Sequence, residues 1–279
     1  MAMKKIISSI IILFAIACKP ESTITEDPMA KDCQIQKVAY EDGSSYVYKF
    51  SAANQLTEIL YSWKDEEGKP LNLTIKFDYN ATGNLVKVVN SEGYIDDYIY
   101  DNSGALTRAD FKSPEGELYE QFMIKTDAQK RISSYTTLMD GFNVAYEYNG
   151  PGGIFSKSTV KLGNSIVDQY EVKTYETDKT KKNYDIVIKG HPFDPKLFTS
   201  DLIYSIPLNL QPANIIVGTA QAITHYDENW ENFMATTRLS WDVANKYTYN
   251  ENGFITKQEA ENKLEKAMFI TTYNYANCN

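Results

Sequence analysis

The chain has 279 residues, 43% of them hydrophobic, with 28 basic against 37 acidic side chains and a net charge of −9. That length suits one large all-β domain or two ordinary ones, and an acidic surface disfavours nucleic acid and anionic membrane surfaces as partners. The two histidines and three cysteines show no metal-ligand spacing, so neither a metal nor another cofactor is expected.

Residues 1–17 read as a leader. Lys4 and Lys5 precede a mostly apolar run from Ile6 to Ile16, and Ala15-Ile16-Ala17 leads into Cys18. A basic start, a short apolar run and small residues before a cleavage point mark secretion; the run is too short for a spanning helix. The small-residue-then-Cys step resembles the bacterial lipobox. That resemblance implies cleavage before Cys18 and attachment to a membrane through a lipid on it. Residues 18–33 are polar and contain proline, as a flexible tether would. Cys33 and Cys278 stand near the two ends of the remaining chain, in a compartment that permits disulfides. A bridge between them would staple the first strand to the last; two free thiols is the other possibility.

From residue 34 a phrase recurs: Tyr79-Asn80-Ala81-Thr82-Gly83-Asn84-Leu85, then Tyr100 to Leu106, then Tyr249 to Ile255. Asn or Asp bonds forward to the backbone and Gly takes the positive φ, which predicts a type I turn with a G1 bulge. Asn149–Gly152 repeats it. Ser51–Asn54 is a weaker copy with Asn54 at the left-handed position, and Asp127–Lys130 is the poorest, with Lys130 there. Further turns of like chemistry start at 65, 90 and 113. Between turns the residues alternate: Leu71, Leu73, Ile75, Phe77 and Tyr79 share one face, Asn72, Thr74, Lys76 and Asp78 the other. The pattern predicts a single all-β domain over 34–279, a long antiparallel up-and-down meander forming a curved sheet or barrel-like structure. It breaks at an insertion over 190–214, where Pro192, Pro195 and Pro207 bracket a short helix expected near 194–205.

The phrase Tyr-(Asn/Asp)-x-x-Gly-x-(Leu/Ile) resembles the YD repeat of RHS-type β-shell proteins. Together with the lipobox and the segment from His191 to Gln258, the whole is similar to a family of Bacteroidota envelope lipoproteins with a porin-like β domain. That resemblance implies an architecture and an outer-membrane-anchored location, on the periplasmic or the surface face, and brings no catalytic residues. Lys19, where inner-membrane lipoproteins carry Asp, points the same way. A porin-like domain need not be a channel. The short strands and polar C-terminus fit a water-soluble sheet or barrel better than a membrane-spanning one.

Chemistry is sparse. His191 precedes a proline and reads as a loop residue. His225, Asp227 and Trp230 set oxygen and nitrogen ligands beside an aromatic ring, a candidate calcium or sugar contact; the plainer reading is a solvated acidic loop, since no calcium-loop pattern is present. No nucleophile elbow or phosphate-binding loop occurs. A glycosidase needs only two carboxylates, and Asp96, Asp97 and Asp227 remain open for that role. The 21 tyrosines offer an exposed face for stacking, or the half-buried pleated surface that tyrosine suits. The sequence therefore points first to a non-enzymatic binding or scaffold module for an envelope protein or glycan. An envelope glycan hydrolase comes second. A lipocalin-like carrier of an apolar ligand comes third, favoured if the meander closes around an unfilled interior.

Overall fold

Strict alternation cut by left-handed glycine turns leaves the chain one economical option, which is to pair each strand with the next. The computed structural model describes residues 34–129, 131–150, 156–175, 178, 180–181, 218–225, 237–276 and 278. The first strands are β1 (Gln34–Tyr40), β2 (Ser45–Phe50), β3 (Leu56–Lys64), β4 (Pro70–Tyr79), β5 (Leu85–Asn90) and β6 (Ile95–Tyr100). Next come β7 (Leu106–Lys112), β8 (Leu118–Thr126), β9 (Ile132–Thr137), β10 (Phe142–Glu147), β11 (Lys157–Leu162) and β12 (Ser165–Val172). The last are β13 (Gly218–His225), β14 (Thr237–Tyr249), β15 (Ile255–Asn262) and β16 (Ala267–Ala276). All pair antiparallel with their sequence neighbours, and β16 pairs with β1, so the curved sheet closes on itself as a barrel of sixteen described strands.

The turns form as their residues dictate. Asn80 N–H donates to the Asn84 carbonyl and Gly83 N–H to the Asn80 carbonyl, each at 2.9 Å. The Asn80 side-chain oxygen accepts from the amides of Thr82 (3.1 Å) and Asn84 (2.9 Å). Asp101, Asp127 and Asn250 do the same, as do Asp65 and Asn90 at the other end of the barrel. Gly83 (φ 80°) and Asn54 (φ 61°) take the left-handed conformation the phrase requires. One expectation is modified. The connection after β10 is longer than the Asn149–Gly152 turn, because pairing resumes only at Glu147↔Lys157. Lys130 and the helix expected near 194–205 lie outside the described residues, as do Cys18, Cys33 and the rest of 1–33.

Antiparallel order sorts the connections. Turns carrying the phrase (β2–β3, β4–β5, β6–β7, β8–β9 and β14–β15) all fall at one end, here called the phrase end, as does the β10–β11 connection; the connections that follow the odd-numbered strands fall at the distal end. The chain enters at the phrase end, where β1 begins. The segment between β12 and β13, within which residues 190–214 fall, also leaves from and returns to the phrase end. Its first part packs onto the β14–β15 turn: a Cβ on Gly253 (φ +83°) would lie 2.0 Å from the Thr180 carbonyl oxygen.

Tyrosine supplies what the turns cannot. Tyr79 Oη donates to the Leu56 carbonyl (2.6 Å), Tyr100 to Leu85 (2.7 Å), Tyr148 to Ile132 (2.5 Å) and Tyr275 to Ile255 (2.7 Å). Each bond joins two strands whose hairpin turn lies at the far end. Along the phrase end, seams are thus closed alternately by a turn and by a phenol, each phenol bond worth about 1 kcal/mol net. Burial pushes all three of the Tyr79, Tyr100 and Tyr148 phenols up, keeping them as donors. The β16–β1 seam has the same register as a phrase hairpin. Tyr275↔Ile35 and Asn274↔Lys37 flank a bulge just as Tyr79↔Leu85 and Asp78↔Lys87 do. There the turn is missing, and Cys278 beside it is disulfide-bonded to a cysteine outside the described residues.

The inside of the ring is one apolar cluster that includes Ile35, Leu56, Ile59, Leu85, Ala109, Phe111, Ile132, Tyr135 and Ile255, all at 1% exposure or less. The outside carries ion pairs: Lys49–Glu58 (2.6 Å), Lys112–Asp97 (2.5 Å) and Arg108–Asp110 (3.0 Å). This polarity is the inverse of a membrane-spanning barrel, whose outer band is apolar. No helix among the described residues is long and apolar enough to cross a membrane.

Candidate functional site

The distal end departs from the economy of the rest. Of nine exposed large apolar side chains among the described residues, eight are there: Tyr94, Leu118, Tyr119, Leu138, Met139, Leu264, Met268 and Phe269. Met123, midway along β8, is the ninth. An apolar rim on an otherwise charged surface marks an interaction site.

Strand β6 runs beneath this rim with the sequence Ile95-Asp96-Asp97-Tyr98-Ile99-Tyr100. Alternation sends Asp96, Tyr98 and Tyr100 inward and Asp97 outward. Asp97 is held on the outer face by Lys112 and, at 3.8 Å, by Lys87. Asp96 is 5% exposed. Its register partners are Val88 on one side and Phe111 on the other. Tyr94 and Tyr119 stand at the rim above it, edge to face with centroids 6.1 Å apart and planes at 89°. The Phe111 ring lies 6.1 Å from Tyr119 at 53°. Among the described residues no hydrogen bond or ion pair reaches the Asp96 carboxyl.

The electrostatics follow from that setting. Burial, and then the charge of Asp97, lift Asp96 to about 7. Burial and then Asp96 push the Tyr119 phenol up to about 12, and Tyr98 rises well above its ordinary value for the same reasons. On the next strand but one, Glu120 is 7% exposed and occupied otherwise. It accepts from the amides of Leu138 (3.0 Å), Met139 (3.1 Å) and Asp140 (3.4 Å), which fixes the β9–β10 turn and presents Leu138 and Met139. Asn90, 7% exposed on β5, uses its oxygen on the turn amides of Glu92 and Tyr94, while its Nδ2 is buried without a partner. Across β2 and β3 a second aromatic group lines the inner face near this end. Tyr46, Tyr61 and Trp63 stack at 4.5 and 4.7 Å, with Tyr40 edge-on to Tyr46 at 6.0 Å.

Of the residues singled out in the sequence, His225 ends β13 at the distal end. Asp227 and Trp230 lie outside the described residues, in the stretch between β13 and β14, which start and finish at that same end. Asp96 and Asp97 are not a catalytic pair, since they point to opposite faces of one sheet. Among the described residues no group of three or more His, Cys, Asp or Glu could hold a metal ion. Sequence reasoning missed Tyr94, Tyr119, Asn90 and Glu120. The readable signal was Tyr94-x-Asp96-x-Tyr98-x-Tyr100, a carboxylate on the aromatic face of an alternating strand.

No protein-family model and no curated protein sequence matches the chain. Among solved structures, a porin-like protein from Bacteroides uniformis superposes with a TM-score of 0.55 at 13% identity, covering 89% of this chain and all (100%) of that one. A porin-like protein from Bacteroides vulgatus gives 0.39 at 11% identity over 88% and 99% of the two chains. A Tc holotoxin pore from Photorhabdus luminescens gives 0.24 at 12% identity, over 83% of this chain and 10% of that one. The first shows a shared fold; the other two superpose too loosely to carry an argument.

Proposed function

We propose that the chain is a lipid-anchored cell-envelope protein that binds its ligand, without catalysis, at the distal end of the barrel. The observation that carries this is the placement, among the described residues, of eight of nine exposed large apolar side chains at the end opposite the chain's entry. A tether attached through Cys18 enters at the phrase end, so the apolar rim faces away from the anchoring surface. The fifteen or so tether residues give an r.m.s. reach of about 20 Å, enough to clear lipid headgroups. The leader and Cys18 support envelope attachment, and the porin-like fold shared with the Bacteroides uniformis protein accords with it. Membership of a Bacteroidota lipoprotein family and an outer-membrane location belong to the same proposal.

The carrier reading needs an unfilled interior, and the described inward-facing side chains instead pack together as one apolar cluster. The hydrolase reading gains nothing from Asp97 or Glu120, both already engaged. A photo-crosslinking residue placed at Met139 is expected to capture a discrete envelope component in intact cells, and one at Thr82, in a phrase-end turn, is not. Equal adducts at both ends, or adducts at Thr82 alone, would overturn the assignment of the binding end.

A further inference from the structure

We propose that the distal end takes a small organic cation, an alkyl- or quaternary ammonium group, seated between Tyr94 and Tyr119 over the Asp96 carboxyl. The inference rests on the distal end being the binding end and adds the chemistry of what enters it.

Three observations point to a cation. First, Asp96 is a nearly buried carboxyl that no Lys or Arg among the described residues approaches. Burying a carboxylate without a counter-charge is costly, and folds retain such a group where something else supplies the charge. Second, its surroundings are rings. Tyr94 and Tyr119 meet at 89° and Phe111 is inclined to Tyr119, so the faces form walls at an angle and not the flat platform a sugar ring would stack on. Angled aromatic walls around a negative group are the geometry that recognises an ammonium. Third, the neighbouring fields have one sign. Facing Asp96 are Tyr98 on its own strand, Tyr94 at the β5–β6 turn, and Tyr119 and Glu120 on β8. Strand β7 offers Phe111 and Ala109, and β5 offers Val88 and the amide of Asn90. None of these brings a positive charge, so an anion would be repelled here and a cation drawn in. The unpartnered Asn90 Nδ2 on the adjacent strand is left as a donor for a hydroxyl or carbonyl on the same ligand.

The test uses the full chain, titrated with choline and with 3,3-dimethylbutan-1-ol, its uncharged isostere, while tyrosine NMR signals are followed. Choline is expected to saturate with a Kd of order 1 mM at about pH 8.5. Binding is expected to weaken at least about tenfold near pH 5.5, where Asp96 holds its proton. Asp96→Asn is expected to abolish the pH dependence and weaken choline at about pH 8.5 by tenfold or more. Should that variant fold poorly, Tyr119→Ala, at the exposed rim, is expected to weaken choline at about pH 8.5. Equal binding of the alcohol and choline would overturn the cation, as would no choline response or an unaffected Asp96→Asn protein. Crosslinks at Met139 without a choline response would keep the distal binding end and remove only the cation.

Discussion

The two ends of this barrel are built on the same turn and put to opposite uses. Asn80 at the phrase end and Asn90 at the distal end each accept two amides through a side-chain oxygen and are followed three residues later by a left-handed glycine. What differs is the flanking sequence. The phrase-end turn is preceded by Tyr79, whose phenol ties the next seam, and followed by Leu85, which is fully buried. The distal turn is preceded by Val89 and followed by Tyr94, 39% exposed. A strand must start and finish somewhere, and here the stabilising contacts are gathered at one end. The other end is left free to expose apolar rings and to bury a carboxyl that costs stability.

The sharpest way to break that contrast is to remove the distal cost. Burial raises Asp96 from the ordinary 3.8 to about 7, so the folded protein holds this proton more tightly than the unfolded chain. The penalty is absent below about pH 4, grows as pH rises toward 7 and is complete above it. Three pH units at about 1.36 kcal/mol each set an upper bound of about 4 kcal/mol. Asp96→Asn is therefore expected to be more stable than the parent at about pH 8, by up to that amount, and equal to it near pH 3.5. Urea unfolding at the two pH values reads this directly. A variant that is less stable at pH 8 would mean that Asp96 supports the fold, and the contrast would fail.

At the phrase end the corresponding change should destabilise. Cys278 is disulfide-bonded, and Gln34, the first described residue, pairs with Ala276 two positions before it. We infer that Cys33 is the partner and that the bridge stands in for the turn missing from the β16–β1 seam. Cys278→Ser is expected to cost about 3 kcal/mol in unfolding free energy. Peptide mapping under non-reducing conditions should recover Cys33 and Cys278 in one linked species; a link to Cys18 would reassign it and contradict lipid attachment there.

The smallest effect is the most local. Tyr100→Phe removes the hydroxyl that reaches the Leu85 carbonyl and nothing else, for an expected loss of about 1 kcal/mol. Tyr94→Phe at the distal rim should be neutral to within about 0.5 kcal/mol. Paired denaturation curves compare them; equal losses would mean that the distal tyrosines are also structural.

The sequence by itself determined everything that depends on near neighbours along the chain. Asn80, Gly83 and the alternation from Leu71 to Tyr79 specify turn, bulge and inward face because those interactions span only a few residues. Consecutive hairpins then follow with little freedom of topology. Tertiary structure decided what depends on distance. Only closure of the ring brings Tyr275 opposite Ile35, and only pairing across β5 to β8 shows that Asp96 sits among Tyr94, Tyr119 and Phe111 while Asp97 meets Lys112 outside. The two aspartates are identical in composition and adjacent in sequence. Their environments diverge because a strand turns successive side chains to opposite faces, and only the folded sheet makes one of those faces the interior.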